Sequence, residues 1–241
     1  MALILVQLNF GLFLAGFAFA LAKNFNLNIL LVGLIYLAPL LPFGLTPENQ
    51  DRFLIVSYFN TVFGAIELVI FVLTVRPADI TFDRPYLMQL FGHTLPIAAA
   101  LIGLSYYARG MQIPVGGGEL TVSLGLFVLG SVLRIVAVAQ IGRVAFKFDI
   151  AFRDNQALKT DQLYSWVRHP SYVAMLIVIL AYAVNTHSWG AGILGMVTAW
   201  AGFQYRIHHE ERALALQYGK EYARFRERTG MWFPRWFSDG S

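Results

Sequence analysis

Five apolar runs follow one another over the first 141 residues, at 2–22, 27–45, 53–75, 86–106 and 120–139. Each is long enough, as a helix, to cross roughly 30 Å of hydrocarbon. Charge or turn residues separate them: Lys23-Asn24, Thr46-Pro47-Glu48-Asn49, Arg76-Pro77-Ala78-Asp79 and the stretch from Gly110 to Gly118. Pro39 and Pro42 interrupt the second run, which makes it the weakest span. Beyond Ile141 the texture changes, and 142–167 mixes basic, acidic and aromatic residues with no run that spans. Two shorter apolar pieces follow, 172–184 and 190–203, joined by Asn185-Thr186-His187-Ser188-Trp189. Thirteen or fourteen residues make roughly 20 Å of helix, so flanking residues extend each piece or the hairpin stops partway. Either way its two feet return to one face. From Arg206 the tail is charged, with Leu214, Tyr218, Tyr222 and Phe225 at helical spacing and Lys220, Arg224 and Arg228 between them.

The pattern predicts an all-α polytopic membrane protein forming one domain, 1–241. Five N-terminal transmembrane helices occupy 1–141. The region 142–241 holds the hairpin 172–203 and a cytoplasmic amphipathic helix. Composition agrees: 57% of residues are hydrophobic and 13% charged, against about a quarter charged in soluble domains. No cysteine is present, which excludes disulfides, thiolate metal sites and a cysteine nucleophile. The net charge of +4 fits basic cytoplasmic loops rather than nucleic-acid binding. Lys23, Arg76, Arg84, Arg143, Lys147, Arg153, Lys159 and Arg168 fall in odd-numbered loops, against Arg52 and Arg109 in even ones. That asymmetry places the odd loops and tail in the cytoplasm, with the N-terminus across the membrane. The first run lacks a basic leader and a clear cleavage site, so it reads as a retained span.

Nearly all the polar chemistry lies between Gln156 and Phe233. Its kernel, Arg168-His169-Pro170-Ser171-Tyr172, opens the hairpin, which closes on Arg206-Ile207-His208-His209-Glu210-Glu211. Ionisable groups at both feet of a lipid-buried hairpin are costly, and a bound polar ligand at the membrane face compensates them. Pro170 suits a first helical turn, where free N–H groups favour an anion, and Tyr172 adds a hydroxyl. The same residues also read as interfacial anchors. Arg206 and Glu210, spaced i,i+4, share a helix face. Glu211 lies about 100° round, so one acid alone aligns with Arg206. The pair can serve two ligands, or simply solvate a helix end. His208 and His209 are adjacent and point apart, so no metal site is expected. Glu67 and Arg134 lie inside spans, where charge flags function. Arg134 is near enough to an end to snorkel, whereas Glu67 needs a cavity or a partner. His93 with Pro96 suggests a kink or an interhelical hydrogen bond. The run Gly116-Gly117-Gly118 does not link a strand to a helix, so it is no phosphate loop.

Residues 140–235 resemble the isoprenylcysteine carboxyl methyltransferase family of integral membrane enzymes. Its pattern runs L-V-T-x-G-x-Y, then R-H-P-x-Y-x-G, a short hairpin, R-x-x-x-E-E, and F-G-x-x-Y. Here these are Leu158 to Tyr164, Arg168 to Ala174, Arg206 with Glu210-Glu211, and Tyr218-Gly219-Lys220-Glu221-Tyr222. No piece is distinctive alone; their order and spacing are. The resemblance implies S-adenosyl-L-methionine as cofactor and a carboxylate on a lipophilic, prenylated-cysteine acceptor arriving through the membrane lipids. Carried over by position, the cofactor residues are Gln156, Ala157, Leu158, Lys159, Tyr164, His169, Pro170, Ser171, Tyr172 and Glu210. Arg206 meets the substrate carboxylate, so that Arg206 and Glu210 are the implied catalytic pair. Gln162 and Ala174 replace family glycines, and Lys159 stands where a small apolar residue is usual. Superfamily relatives methylate thiols or phospholipid amines. A thiol acceptor needs a base, for which His169 or Glu210 is at hand. A different class stays open beside these: a non-catalytic transporter, pigment or haem binder centred on Glu67, Arg134 and His93.

Overall fold

Lipid offers the backbone no hydrogen-bond partners, so apolar runs fold as helices. The computed structural model describes residues 1–43, 49–74, 83–145 and 157–235. Among them the elements are α1 (Ala2–Lys23), α2 (Leu27–Leu37), α3 (Gln50–Thr74), α4 (Arg84–Gln89), α5 (Leu95–Gly110), α6 (Gly117–Ala145), α7 (Pro170–Asn185), α8 (Trp189–Tyr218) and α9 (Lys220–Arg228). Four stretches are long and apolar enough to cross a membrane: Ala2–Lys23, Gln50–Thr74, Arg84–Gly110 and Gly117–Gly142. Ile4, Leu8 and Leu12 on α1 and Val128, Val132 and Ile135 on α6 face outward, as lipid-facing side chains must. The chain is a multi-pass membrane protein.

The second expected span, 27–45, is shorter than the other four among the described residues. α2 ends at Leu37 and tightens into a 3₁₀ turn, Ala38–Leu40. Pro39 supplies no N–H and its ring crowds the preceding turn. From Leu27 to Leu40 the helix rises about 21 Å at 1.5 Å per residue, short of the hydrocarbon thickness. The fourth span is continuous but widens into a π turn at Leu90–Thr94, just before Pro96. A proline disrupts the hydrogen bonding of the turn before it, and an extra residue in the turn accommodates the ring.

Two buried arginines fix the helix directions. At one end Arg52 of α3 meets Glu119 of α6, at 2.5 Å, and donates to the Asn185 carbonyl at the end of α7. At the other end Glu67 of α3 meets Arg134 of α6 at 2.7 Å, and Arg134 donates to Ser171 at the start of α7. α3 and α6 therefore run parallel, with α7 antiparallel to both. Between these clusters Phe59 stacks on Phe127 at 4.1 Å, and Tyr182 meets Phe59 edge-on at 5.2 Å. α6 and α7 approach closely at Gly130. A Cβ there would stand 2.7 Å from Val178 Cγ2 and 2.8 Å from the Ala174 carbonyl oxygen. At the first end Arg109 also donates to the carbonyls of Pro39 and Pro42, both at 2.7 Å, and lies 3.7 Å over the Phe53 ring.

The hairpin helices are unequal. α7 has 16 residues and α8 has 30, so the second leg extends well past the foot of the first. Ser188 caps α8 by accepting from the Ala191 N–H at 3.3 Å. The charged tail expected as a separate helix from Arg206 therefore begins inside α8. Nothing between Phe203 and Tyr218 breaks a helix, and the first interruption is Gly219 at φ 49°, a conformation glycine adopts at no steric cost. α9 follows, with Tyr222 and Phe225 buried and its basic residues outward.

Candidate active site

Pro170 occupies the first turn of α7, and His169 precedes it at φ −125°, ψ 56°, outside the helical region as a pre-proline residue prefers. That turn lifts Arg168 and His169 toward α8, whose Arg206, Glu210 and Glu211 face back across the hairpin. Glu210 Oε1 accepts from the Tyr172 hydroxyl at 2.5 Å and from Arg206 Nε at 2.7 Å. Glu211 Oε1 accepts from Arg168 Nε at 2.8 Å. His169 lies between the acids, with Nδ1 3.6 Å from Glu210 Oε2 and Nε2 3.3 Å from Glu211 Oε1. The two acids, about 100° apart on one helix, thus each take a different arginine.

The electrostatics follow from these partners. Burial would raise the Glu210 carboxyl, but Arg206 and His169, with the Tyr172 hydrogen bond, hold it below the ordinary glutamate value. Burial would likewise raise Glu211. Hydrogen bonds from His169 and Arg168 more than offset this and hold it at about 2. Both carboxylates are ionised at neutral pH, and charge-assisted hydrogen bonds fix both in orientation.

Residues 229–232 close the structure around Glu211. Arg168 N–H donates to the Gly230 carbonyl at 2.8 Å, and Gly230 N–H to that of Trp166 at 3.4 Å. Arg168 Nη1 donates to the Thr229 carbonyl at 2.5 Å. Trp232 Nε1 donates to Gln204 Oε1 at 3.1 Å. Beside them opens a cleft of about 250 Å³, lined by Gln204, His208, Glu211, Arg212, Ala215, Arg226 and Met231. Toward the apolar part of the hairpin the Tyr172 ring tilts against Phe203 at 5.4 Å, and His93 meets both rings edge-on at 6.2 and 5.8 Å. His93 Nδ1 lies 3.1 Å from the Gly202 carbonyl, so the π turn ties the fourth span to α8.

The residues singled out by the sequence divide into two groups. His169, Tyr172, Arg206 and Glu210 converge. The others point elsewhere. The Tyr164 hydroxyl donates to the Ala137 carbonyl of α6 at 3.2 Å. Lys159 pairs with Asp161 at 2.8 Å and reaches Gln162 at 3.2 Å. Ser171 accepts from Arg134. Pro170 is buried as a helix-starting residue, Leu158 is half-buried and Ala157 exposed. Gln156 lies outside the described residues. Arg134 does not snorkel: it is buried, with a carboxylate facing it, and reaching an end would break a two-point contact. His208 and His209 hold their rings 5.7 Å apart at 78°, with His209 against Tyr205 at 4.5 Å. Among the described residues, no group of three or more potential ligands is placed to hold a metal ion. The Arg168–Glu211 pair and the strap 229–232 were not anticipated. The adjacent acids facing two arginines were the one available signal for the first.

Residues 123–216 match the Isoprenylcysteine carboxyl methyltransferase (ICMT) family. The resemblance carried by the sequence motifs is thereby shown for that segment, which contains both feet of the hairpin. The protein-S-isoprenylcysteine O-methyltransferase of Schizosaccharomyces pombe is 33% identical over 116 residues, 47% of this chain and 49% of that protein. The O-methyltransferase B of Arabidopsis thaliana is 31% identical over 113 residues, 46% of this chain and 57% of that protein. The matches thus span about half the length of these curated relatives. The fold extends further. The solved structure of the eukaryotic intramembrane Ras methyltransferase ICMT superposes with TM-score 0.53 over 97% of both chains, at 18% identity.

Proposed function

We propose that this chain is an integral membrane methyltransferase that moves a methyl group from S-adenosyl-L-methionine to the carboxylate of a lipophilic acceptor of the prenylated-cysteine class. The observation that carries the reading is the meeting of Tyr172 and Arg206 on one oxygen of Glu210. Two helices that approach from opposite directions put an oriented anion and a cation side by side at the foot of the hairpin.

The donor set fits the cofactor. When bound, S-adenosyl-L-methionine supplies an electrophilic methyl on a cationic sulfonium, together with an ammonium and a carboxylate. Ionised Glu210 and Glu211 suit the positive groups, while His169 and Tyr172 add hydrogen-bonding edges and an aromatic face. The cleft beside Glu211 gives access from water. Ala157, Leu158 and Lys159 carry only the family's positional roles. A carboxylate acceptor is already ionised at neutral pH and requires no general base. It requires orientation and exclusion of water. Arg206 would orient it, and Tyr172, Phe203 and His93 pack together as an aromatic wall beside the pair. Loop charge puts this end in the cytoplasm, where a soluble cofactor is supplied. The non-catalytic alternative loses its centre, because Glu67 and Arg134 are engaged with each other and His93 with Gly202.

The test is labelled methyl transfer by purified protein to a panel containing a prenylated cysteine, a short thiol and a phospholipid amine. Transfer to the prenylated cysteine, lost in Arg206→Ala and Glu210→Ala while S-adenosylhomocysteine binds the parent, is the expected result. Transfer to the thiol or amine alone reassigns the acceptor, and absence of S-adenosylhomocysteine binding removes the proposal.

A further inference from the structure

Glu67 lies on α3, well outside the segment that matches the family, yet it reaches the site. Its two oxygens accept from Arg134 Nε at 2.7 Å and Nη2 at 2.9 Å. Both side chains are about 5% exposed. A bidentate pair of this kind fixes the guanidinium plane, and the third nitrogen, Nη1, donates to Ser171 Oγ. Ser171 directly precedes Tyr172, whose hydroxyl holds Glu210. Just over one turn back along α6, Gly130 packs against Ala174 and Val178. The first half of α7 is therefore fixed to α6 twice, by close contact at Ala174 and Val178 and, in its first turn, by Arg134 on Ser171. A buried ion pair is a weak source of stability, since well-packed apolar residues of similar volume often do as well or better. What it supplies is a fixed direction for the Ser171 contact.

We propose that Glu67 is a positioning residue: by orienting Arg134 on Ser171 it sets the first turn of α7 and so the placement of Tyr172 on Glu210. The site then extends from the hairpin into the third helix. As it concerns methyl transfer, the inference rests on the function proposed above. As it concerns the geometry of α7, it stands alone.

Glu67→Gln keeps the side chain's shape and removes its charge. The expected result is a fall in kcat of about ten- to a hundredfold, the scale of a small misplacement at a reacting centre, with the KM for acceptor near wild type and Tm lowered, because Gln leaves Arg134 buried without its counter-charge. Because the effect passes through Tyr172, the same change in a Tyr172→Phe background should cost less than about twofold more. Independently of activity, amide exchange at Tyr172 and Val173, both bonded to the His169 carbonyl, should quicken while that at the far end of α7 does not. Wild-type kcat with wild-type exchange in Glu67→Gln overturns the proposal, as do losses that multiply in the double variant. If Glu67→Gln does not fold, the apolar pair Glu67→Leu with Arg134→Met replaces it. Quickened exchange at 172–173 in that folded protein supports the inference, and unchanged exchange overturns it. If wild-type protein neither binds S-adenosylhomocysteine nor transfers methyl, the proposed function fails while the exchange measurement still decides the role of Glu67.

Discussion

Tyr172→Phe removes one oxygen atom and leaves the ring against Phe203 and His169. The hydroxyl donates to Glu210 Oε1 at 2.5 Å, and the same oxygen keeps Arg206 Nε at 2.7 Å. A hydrogen bond to a charged group contributes about 1.5–3 kcal/mol net. If its whole value is expressed in holding Glu210 toward a cationic ligand, affinity falls about 10- to 150-fold, at tenfold per 1.4 kcal/mol. Arg206→Ala acts on the fold instead, because it leaves a partly buried carboxylate without its cation, and breaking such a buried pair costs about 3–5 kcal/mol of stability. Affinity is therefore ordered: wild type binds more tightly than Tyr172→Phe. Calorimetric titration of S-adenosylhomocysteine into nanodisc-embedded protein measures it, with methyl transfer followed on the same samples. Wild-type affinity and rate in Tyr172→Phe would show that the 2.5 Å contact does not orient Glu210 for a ligand, and the reasoning for the site would fail with it.

Gln162 holds φ 56°, a left-handed conformation costing an L-residue about 1–2 kcal/mol. Allowing for glycine's larger unfolded-state entropy, Gln162→Gly should stabilise by about 0.5–1 kcal/mol, and a lowered Tm would contradict this. Gly130→Ala places a methyl within 2.8 Å of both Val178 and the Ala174 backbone, an overpacking expected to cost about 1–3 kcal/mol; thermal unfolding checks it. Glu211 is held at about 2, below its ordinary 4.5, by His169 and Arg168. A depressed carboxylate adds stability above its unfolded value that fades as pH falls through the folded one. Wild-type Tm should therefore drop between pH 4.5 and 2, and Glu211→Gln should be less stable at neutral pH and lose less over that window. An equal acid slope in the two proteins refutes the assignment. Arg168→Ala should release the 229–232 strap, read as faster proteolysis after residue 228 with the hairpin intact; unchanged cleavage would refute it.

Helix content, and most of the spans, followed from the apolar runs alone, because lipid leaves an apolar segment no alternative to a helix. The chemistry was equally plain in Arg168–Tyr172 and Arg206–Glu211, since charge at the foot of a lipid-buried hairpin has to be compensated. Pairing was a different matter. Apolar helices show lipid and neighbour nearly the same face, so their pattern does not encode rotation or register. The i,i+4 spacing paired Glu210 with Arg206, but only the packed structure decided that Glu211 takes Arg168 and that Glu67 reaches Arg134. It also closed residues 229–232 onto Arg168, because a contact between distant segments depends on where the intervening helices lie. At Pro39 the local rule was visible and its consequence was not: whether a proline bends a span or ends it depends on the neighbours that satisfy the freed carbonyls. Here Arg109 takes the carbonyl of Pro39 itself.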